Sequence, residues 1–391
     1  MTNIRYKAIS PRPEDTGSGQ AGSSDGDQQV PAGRRARGPR HPGGRALGGL
    51  AVTASVLVLG GFALGPMGSL LVLGAPTTFA MPILAAVADW DAGVRGRWAT
   101  TVDSLLIVIG AVGLTLLGQV LIGHADLVGA TRTTATGAGR QMPTFPYEIP
   151  LGALAFVTFL QVSIVSEGRL VFPARHGPKA GRLAVLGCLA AALAAYAALA
   201  NWDAASADVR QLSLWDPHGP FRALDIAAWL ISVAIWQTAH ALLDGWPYSL
   251  IKARPARVAV ANVTVVALGS ATYTVATGPL GANGAQLSAA GAMFVVGSSL
   301  VGPLLNGWPL TAARPAWRRT WLAVSATGIA VAAYAALHRL GLTTEHHWTR
   351  QTPVELWMVV CGLNLIGGAI PWYTRILRRP HPRAGHRAQL P

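Results

Sequence analysis

One long apolar segment of this chain closes in Leu242-Leu243-Asp244-Gly245-Trp246-Pro247, and a basic run from Lys252 to Arg257 follows it. Glycine permits a tight turn, tryptophan is favoured at the interface between membrane and water, and proline ends a helix. Because a second apolar segment begins directly after the basic run, the stretch predicts the turn of a helical hairpin.

Two further copies of this stretch predict that the hairpin is repeated. A near copy, Leu304-Leu305-Asn306-Gly307-Trp308-Pro309, lies downstream, and a degraded copy, Ser166-Glu167-Gly168, lies upstream. In the upstream, central and downstream copies the glycine precedes a tyrosine by 28, 28 and 27 positions. Such regularity is typical of an internal repeat of one structural unit.

The composition places the chain in the membrane class. The 391 residues are 51% hydrophobic and only 12% charged, and the mean hydropathy is +0.38. A soluble domain usually has about 25% charged residues. The two cysteines, Cys188 and Cys361, fall inside apolar segments, which indicates packing rather than a disulfide framework.

The apolar segments predict about ten transmembrane helices, because a helix needs about 20 residues to cross the hydrocarbon. The predicted spans are 47–65, 68–88, 101–123, 149–167, 182–201, 223–244, 257–277, 285–306, 318–338 and 354–375. A tail over residues 1–46 is predicted to be disordered because it has few large apolar residues, and a basic tail covers 376–391. The predicted fold class is therefore all-α: a polytopic membrane protein of tandem parallel helical hairpins.

The basic residues predict the orientation of these spans. With the amino terminus inside, 25 of the 31 Lys and Arg residues fall on the cytoplasmic side. We therefore expect a plasma-membrane protein with both termini in the cytoplasm. This asymmetry also accounts for the net charge of +14 without a nucleic-acid partner. A cluster before the first span is either part of this topology signal or a contact with anionic lipid. The cluster consists of Arg34, Arg35, Arg37, Arg40 and Arg45.

Polar residues at the end of span 223–244 form the first candidate site. Gln237, His240 and Asp244 are spaced by three and four positions, so they would share one helical face. Ionisable residues inside spans are costly and often functional, which makes this stripe a candidate proton or ligand relay. The alternative is an interfacial cluster, since Asp244 belongs to the turn motif, where Asn306 and Glu167 replace it.

Three carboxylates form the second candidate. Glu148, Asp225 and Glu355 each fall in the first turn of a predicted inward-running helix. They complement the positive end of the helix dipole there, or they line a shared vestibule that attracts a cation.

Histidines of a predicted outer loop form the third candidate. His338, His346 and His347 could contribute to an external metal site, but their spacing matches no defined ligand pattern. The alternative is that they are solvated loop residues. No cofactor is indicated by the sequence.

Neutral polar and small residues in other spans are expected to join helices. Gln119, Gln161, Asn262 and Asn364 are predicted to hydrogen-bond from helix to helix. Alanines at a spacing of four allow close helix packing, within the chain or with another copy or partner in an oligomer. These alanines are Ala190, Ala194 and Ala198.

The sequence contains no phosphate-binding glycine loop, no nucleophile elbow and no His-Glu-x-x-His motif. The favoured hypothesis is a transporter or channel-like protein for a small solute or ion. A membrane-embedded metal- or haem-binding enzyme or redox subunit is a second hypothesis. A third is a non-catalytic membrane subunit that packs against a partner.

Overall fold

The computed structural model describes residues 105, 109–110, 145–166, 178–201, 218–305, 315–344 and 354–364. From residue 145 onward, the described residues form seven α-helices. They are α1 (Phe145–Leu160), α2 (Pro178–Leu199), α3 (Ala223–Leu242), α4 (Arg254–Thr277), α5 (Gly284–Ser299), α6 (Pro315–Thr344) and α7 (Val354–Asn364).

Shorter elements complete the described fold. Five-residue π-helices extend α1 over Gln161–Val165 and α5 over Leu300–Leu304, and a 3-10 turn covers Tyr248–Leu250. Two short strands, β1 (Ala200–Asn201) and β2 (Phe221–Arg222), pair in parallel between the end of α2 and the start of α3.

The prediction of a mostly helical protein is confirmed for the described residues, and helices suited to crossing a membrane are present. Within the described ranges, three helices are long and apolar enough to cross a membrane: Arg254–Thr277, Gly284–Gly302 and Ala316–Thr343. Shorter apolar helices cover Pro150–Val165 and Val185–Leu199. The total of ten spans and the tandem hairpins remain predictions. Spans 47–65 and 68–88, nearly all of 101–123, and the tails 1–46 and 376–391 lie outside the described residues.

Local sequence explains where two of these helices begin. Pro255 occupies the first turn of α4, where no backbone N–H is needed and the fixed φ of proline suits the helix. At α5, the Asn283 side chain accepts a hydrogen bond from the Gln286 N–H at 2.8 Å. The Gln286 side chain accepts one from the Asn283 N–H at 3.2 Å, which completes a capping box.

The helices form a central row with flanking helices. The row is α1, α3, α5 and α7, in which each helix packs against the next. Helix α2 packs on α1, α4 packs on α3, and α6 packs on α5 and α7. The first helix of each predicted hairpin therefore lies in the row, and the second helix lies outside it.

Burial differs between the row and the flanking helices. Of the 18 consecutive residues that make up the apolar stretch of each helix, 67% are buried in α5 with the start of its π-helix, but only 17% in α4 and in α6. Large apolar side chains such as Val263 on α4 and Val324 on α6 are exposed. Exposed apolar area of this extent is unfavourable in water and favourable against lipid. The flanking helices therefore have surfaces suited to lipid contact.

Glycines allow the closest helix approaches. A side chain at Gly269 of α4 would lie 2.6 Å from the Cα atom of Val233 in α3. At Gly297 of α5 it would meet the carbonyl oxygen of Ala326 in α6. Small residues at such crossings let backbones touch, which is the main source of helix packing in membranes.

The alanine stripe predicted on α2 does not serve this purpose among the described helices. Ala190, Ala194 and Ala198 are exposed. The face that packs on α1 is a different one and includes Cys188 and Tyr196. The stripe therefore remains open to lipid or to another part of an assembly.

Contacts at both ends show that consecutive described helices alternate in direction. Leu242 at the end of α3 packs with Val301 and with Leu322 near the start of α6; we call this side the turn end. At the opposite side, the far end, β1 after α2 pairs with β2 before α3. His338 late in α6 also lies near Glu355 at the start of α7 on this side.

Candidate functional site

The turn between α3 and α4 corrects one detail of the predicted stripe. Helix α3 ends at Leu242, two residues before the predicted end, because Asp244 and Gly245 adopt positive φ angles of 54° and 75°. Asp244 therefore lies in the turn, off the helix face on which Gln237 and His240 lie. Glycine is suited to this backbone region, as the turn motif predicts. The peptide bond between Trp246 and Pro247 is cis.

Asp244 and Trp246 connect this turn to the start of α6. Arg318 donates a hydrogen bond from Nη1 to Asp244 Oδ2 at 3.0 Å, and the Arg319 guanidinium lies 5.7 Å from the centre of the Trp246 ring. The Arg318 and Asp244 side chains are 33% and 46% exposed. An ion pair this exposed contributes about 1 kcal/mol or less. The pair therefore adds little to the stability of the fold.

His240 lies directly beneath the turn. Its ring centre is 5.5 Å from that of Tyr248, and a side chain at Gly245 would come within 3.6 Å of His240 Cε1. A Cβ atom there would be at ordinary contact distance from the imidazole, so the positive φ angle of Gly245, rather than the ring, favours glycine at this position. His240 is partly buried and lies between the turn and the deeper residue Gln237.

Below His240, three carboxamide side chains and one hydroxyl meet. We call this set the amide cluster; it consists of Gln161, Gln237, Asn262 and Ser166. Gln237 Nε2 donates to Gln161 Oε1 at 2.5 Å, and Gln161 Nε2 donates to Asn262 Oδ1 at 2.7 Å. Ser166 Oγ donates to the same Asn262 oxygen at 3.0 Å. The cluster therefore ties α1 and its π-helix to α3 and α4.

Each amide of the cluster donates to the next, from Gln237 to Gln161 and from Gln161 to Asn262. Asn262 Nδ2 donates to the Val258 carbonyl at 2.7 Å, and Gln237 Nε2 also donates to the Val157 carbonyl at 3.0 Å. Because a carbonyl oxygen only accepts, the nitrogen of Gln237 must face Val157. Gln237 is fully buried, and its Oε1 has no hydrogen-bond partner among the described residues.

The π-helix after α1 places two members of this cluster. The Ser166 N–H donates to the Gln161 carbonyl at 2.9 Å, and the Leu305 N–H donates to the Leu300 carbonyl at 2.9 Å in the second π-helix. Both π-helices end three positions before the glycine of a predicted turn motif, Gly168 or Gly307. Single π turns inside helices occur frequently at functional sites.

At the far end, residues from two separate predictions come together. His338 Nε2, from the predicted metal site, lies 4.0 Å from Oε1 of Glu355, a predicted vestibule carboxylate. The Tyr334 ring stacks against His338 at 6.0 Å, and Glu355 is buried. Residues from two of the predicted sites are therefore neighbours at the far end of α6 and α7.

The remaining candidates are separate from this pair. Asp225 lies in the first turn of α3, as predicted, and Glu148 lies in α1. His346, His347 and the turn residues Gly168, Gly307, Trp308 and Pro309 lie outside the described residues, as do Gln119 and the side chains of Glu148 and Asn364. Within the described ranges, no three His, Cys, Asp or Glu residues are grouped closely enough to hold a metal ion.

The predicted helix-to-helix hydrogen bonding of Gln161 and Asn262 is confirmed, since they bond to each other. The third amide, Gln237, belongs to the stripe predicted on α3, and the sequence predicts no hydrogen bond for Ser166. One sequence signal points to the pairing of the two glutamines: Gln161 precedes Gly168 by seven positions, and Gln237 precedes Gly245 by eight.

This chain matches no protein-family model, no curated protein and no solved structure with which it was compared.

Proposed function

We propose that the chain is a multi-pass membrane protein that moves a small polar solute or ion across the membrane. The observation that carries the proposal is the buried amide cluster at the junction of α1, α3 and α4. Polar groups inside a membrane helix bundle are unfavourable unless paired, and they often mark a transport pathway. His240 and the turn lie between this cluster and the turn end, which gives the pathway a polar continuation.

The proposed architecture extends the described helices to about ten spans by the length rule. The spans form tandem parallel hairpins around the row, in the plasma membrane, with both termini and the turn end in the cytoplasm. The arginines from Arg34 to Arg45 would then lie against anionic lipid of the inner leaflet. The basic residues Arg318 and Arg319 at the turn end support this orientation.

Cysteine labelling tests the orientation. In a chain with Cys188 and Cys361 replaced by alanine, Ser249→Cys places a thiol in the exposed turn and Leu280→Cys places one in the exposed far-end loop. We expect a membrane-impermeant maleimide to label Leu280→Cys on intact cells. Ser249→Cys should react only after permeabilisation, and the opposite pattern would invert the proposed topology.

Uptake by proteoliposomes tests transport itself. The full chain is reconstituted, and uptake of radiolabelled rubidium, chloride, methylammonium, acetamide and acetate is compared with that of protein-free liposomes. We expect uptake of at least one solute above the protein-free level. His240→Ala should reduce that uptake by about tenfold, the effect of losing one polar interaction of about 1.4 kcal/mol along the path.

Asp244→Ala provides a comparison at the turn surface, where the side chain is exposed and paired with Arg318. Unchanged uptake in both monodisperse variants would remove the turn end of α3 from the mechanism. No uptake of any solute would reject the transport proposal.

A second candidate is a non-catalytic subunit that packs against another membrane protein. The supporting observation is the exposed alanine stripe Ala190, Ala194 and Ala198 on α2. Small-residue faces allow close helix association in lipid. Stable co-purification of a second membrane protein, lost on Ala194→Leu, would favour this role over transport.

A further inference from the structure

In the amide cluster, one side-chain oxygen of a glutamine accepts no hydrogen bond from a described residue, whereas the glutamine N–H groups already donate to protein oxygens. Both N–H groups of Gln237 are used, one on Val157 and one on Gln161. Gln161 Nε2 is directed at the carbonyl and the side-chain oxygen of Asn262. Gln237 Oε1 is the acceptor that no described residue satisfies.

This orientation is fixed by the surroundings. Turning the Gln237 amide over would place its oxygen against the Val157 carbonyl and against Gln161 Oε1, so two pairs of acceptors would face each other. The acceptor of Gln237 is therefore built into the site. A buried carbonyl oxygen is normally hydrogen-bonded, because leaving it unpaired in an apolar interior is unfavourable.

We infer that the amide cluster is a binding site for a small solute that carries N–H or O–H donors and no negative charge, such as a primary amide or a protonated amine. This inference names the substrate class of the site on which the proposed function rests. The donor of the solute bonds to Gln237 Oε1, at the junction of α1, α3 and α4. The cluster itself is uncharged, so it suits a neutral or singly positive solute better than a divalent cation, which requires carboxylate ligands.

An anion does not fit the same site. It needs donors, and both glutamine side chains already direct their N–H groups at protein oxygens. An anion would also face the partial negative charge of Gln237 Oε1. Acetamide and acetate have nearly the same shape, but acetamide carries N–H donors whereas acetate carries a negative charge and no donor. A comparison of the two therefore shows whether the site prefers a donor over an anion.

Binding to the purified full-length protein tests the inference directly. Thermal unfolding in detergent is followed at rising concentrations of acetamide, methylammonium or sodium acetate, with ionic strength held constant by sodium chloride. A solute that binds the folded state raises the unfolding temperature with concentration. We expect acetamide or methylammonium to stabilise the protein with a saturable dependence, and acetate to have no such effect.

Gln237→Leu removes the acceptor and keeps an apolar side chain of similar size. We expect it to weaken the apparent affinity for the donor solute by about tenfold or more, the effect of losing a buried hydrogen bond. Ser232→Ala is the matched control, because Ser232 is equally buried on α3 and its hydroxyl bonds only to the Ala228 carbonyl one turn away. Its affinity should equal that of the unchanged protein.

The outcomes separate this inference from transport. Binding of acetamide or methylammonium but not acetate, weakened in Gln237→Leu, supports the site even if liposomes take up no solute, in which case the transport proposal alone fails. Binding of acetate at equal strength, equal affinity in Gln237→Leu, or no binding by any of the three solutes overturns the inference. Uptake of chloride or rubidium with no donor-solute binding would leave transport standing without this site. If Gln237→Leu does not fold, the comparison of acetamide with acetate on the unchanged protein still decides the question.

Discussion

Gly297→Val is expected to destabilise the protein by about 3 kcal/mol or more, or to prevent recovery of a monodisperse protein. Gly297 is buried in α5, and a Cβ atom there would meet the carbonyl oxygen of Ala326 and lie 3.1 Å from its carbonyl carbon. Because these are backbone atoms, no side-chain rotation relieves the clash. Helix α6 would have to move away from α5 and lose contacts along the crossing. Thermal unfolding in detergent measures the effect.

Gly328→Ala is the matched control for this change. Gly328 lies on α6, and a Cβ atom there would meet nothing within 4 Å. Alanine is more favourable than glycine inside a helix by about 0.5–1 kcal/mol, so we expect stability to be unchanged or slightly higher. If Gly297→Val unfolded at the same temperature as Gly328→Ala, the close approach of α5 and α6 would be wrong.

Asn262→Leu is expected to cost about 2 kcal/mol, because it removes the side-chain oxygen that accepts hydrogen bonds from Gln161 Nε2 and from the Ser166 hydroxyl inside the bundle. Hydrogen bonds between membrane helices contribute on average about 0.6 kcal/mol and at most about 1.7 kcal/mol each. The substitution removes two of them, so the expected loss of stability lies within this range for two bonds. Unfolding by heat in detergent again provides the measurement.

A double-mutant cycle with Gln161→Leu shows whether the two residues act together. In the double variant no amide of this pair is left unpaired, so its loss of stability should be smaller than the sum of the single losses by about 1 kcal/mol. Thr274→Val on the same helix serves as a control, since its exposed hydroxyl bonds only to the Ser270 carbonyl of α4. Strict additivity would show that the amide bond contributes nothing.

The sequence predicts which segments form helices better than it predicts where each helix begins and ends. The spans predicted at 257–277 and 285–306 correspond to α4 and to α5 with its π-helix. Helix α6 extends beyond the predicted 318–338 at both ends, from Pro315 to Thr344, and its first turns include the basic residues Arg318 and Arg319. Long basic side chains can extend to the polar interface while the backbone stays helical, so charge marks a helix end poorly.

The contacts between distant residues could not be predicted from spacing. The turn motif predicts the position of Asp244 in the chain, but its partner Arg318 lies 74 positions away. Gln161 and Gln237 are separated by 76 positions and meet only because α1 and α3 are neighbours in the row. Periodicity shows which residues share a face of one helix. It contains no information about which helix that face contacts.

Because of the π-helix at Gln161–Val165, deletion of one residue in this part of the chain should disturb the structure more than substitution of one side chain. A π turn holds one residue more than an α turn, so deleting a single residue here would restore an ordinary helix. The chain beyond the deletion would rotate by about 100° relative to α1, the angle between successive residues of an α-helix. Ser166 would then leave the side of α1 that faces Asn262. A substitution in this segment changes the contacts of one side chain, whereas deletion of one residue rotates every side chain beyond it relative to α1.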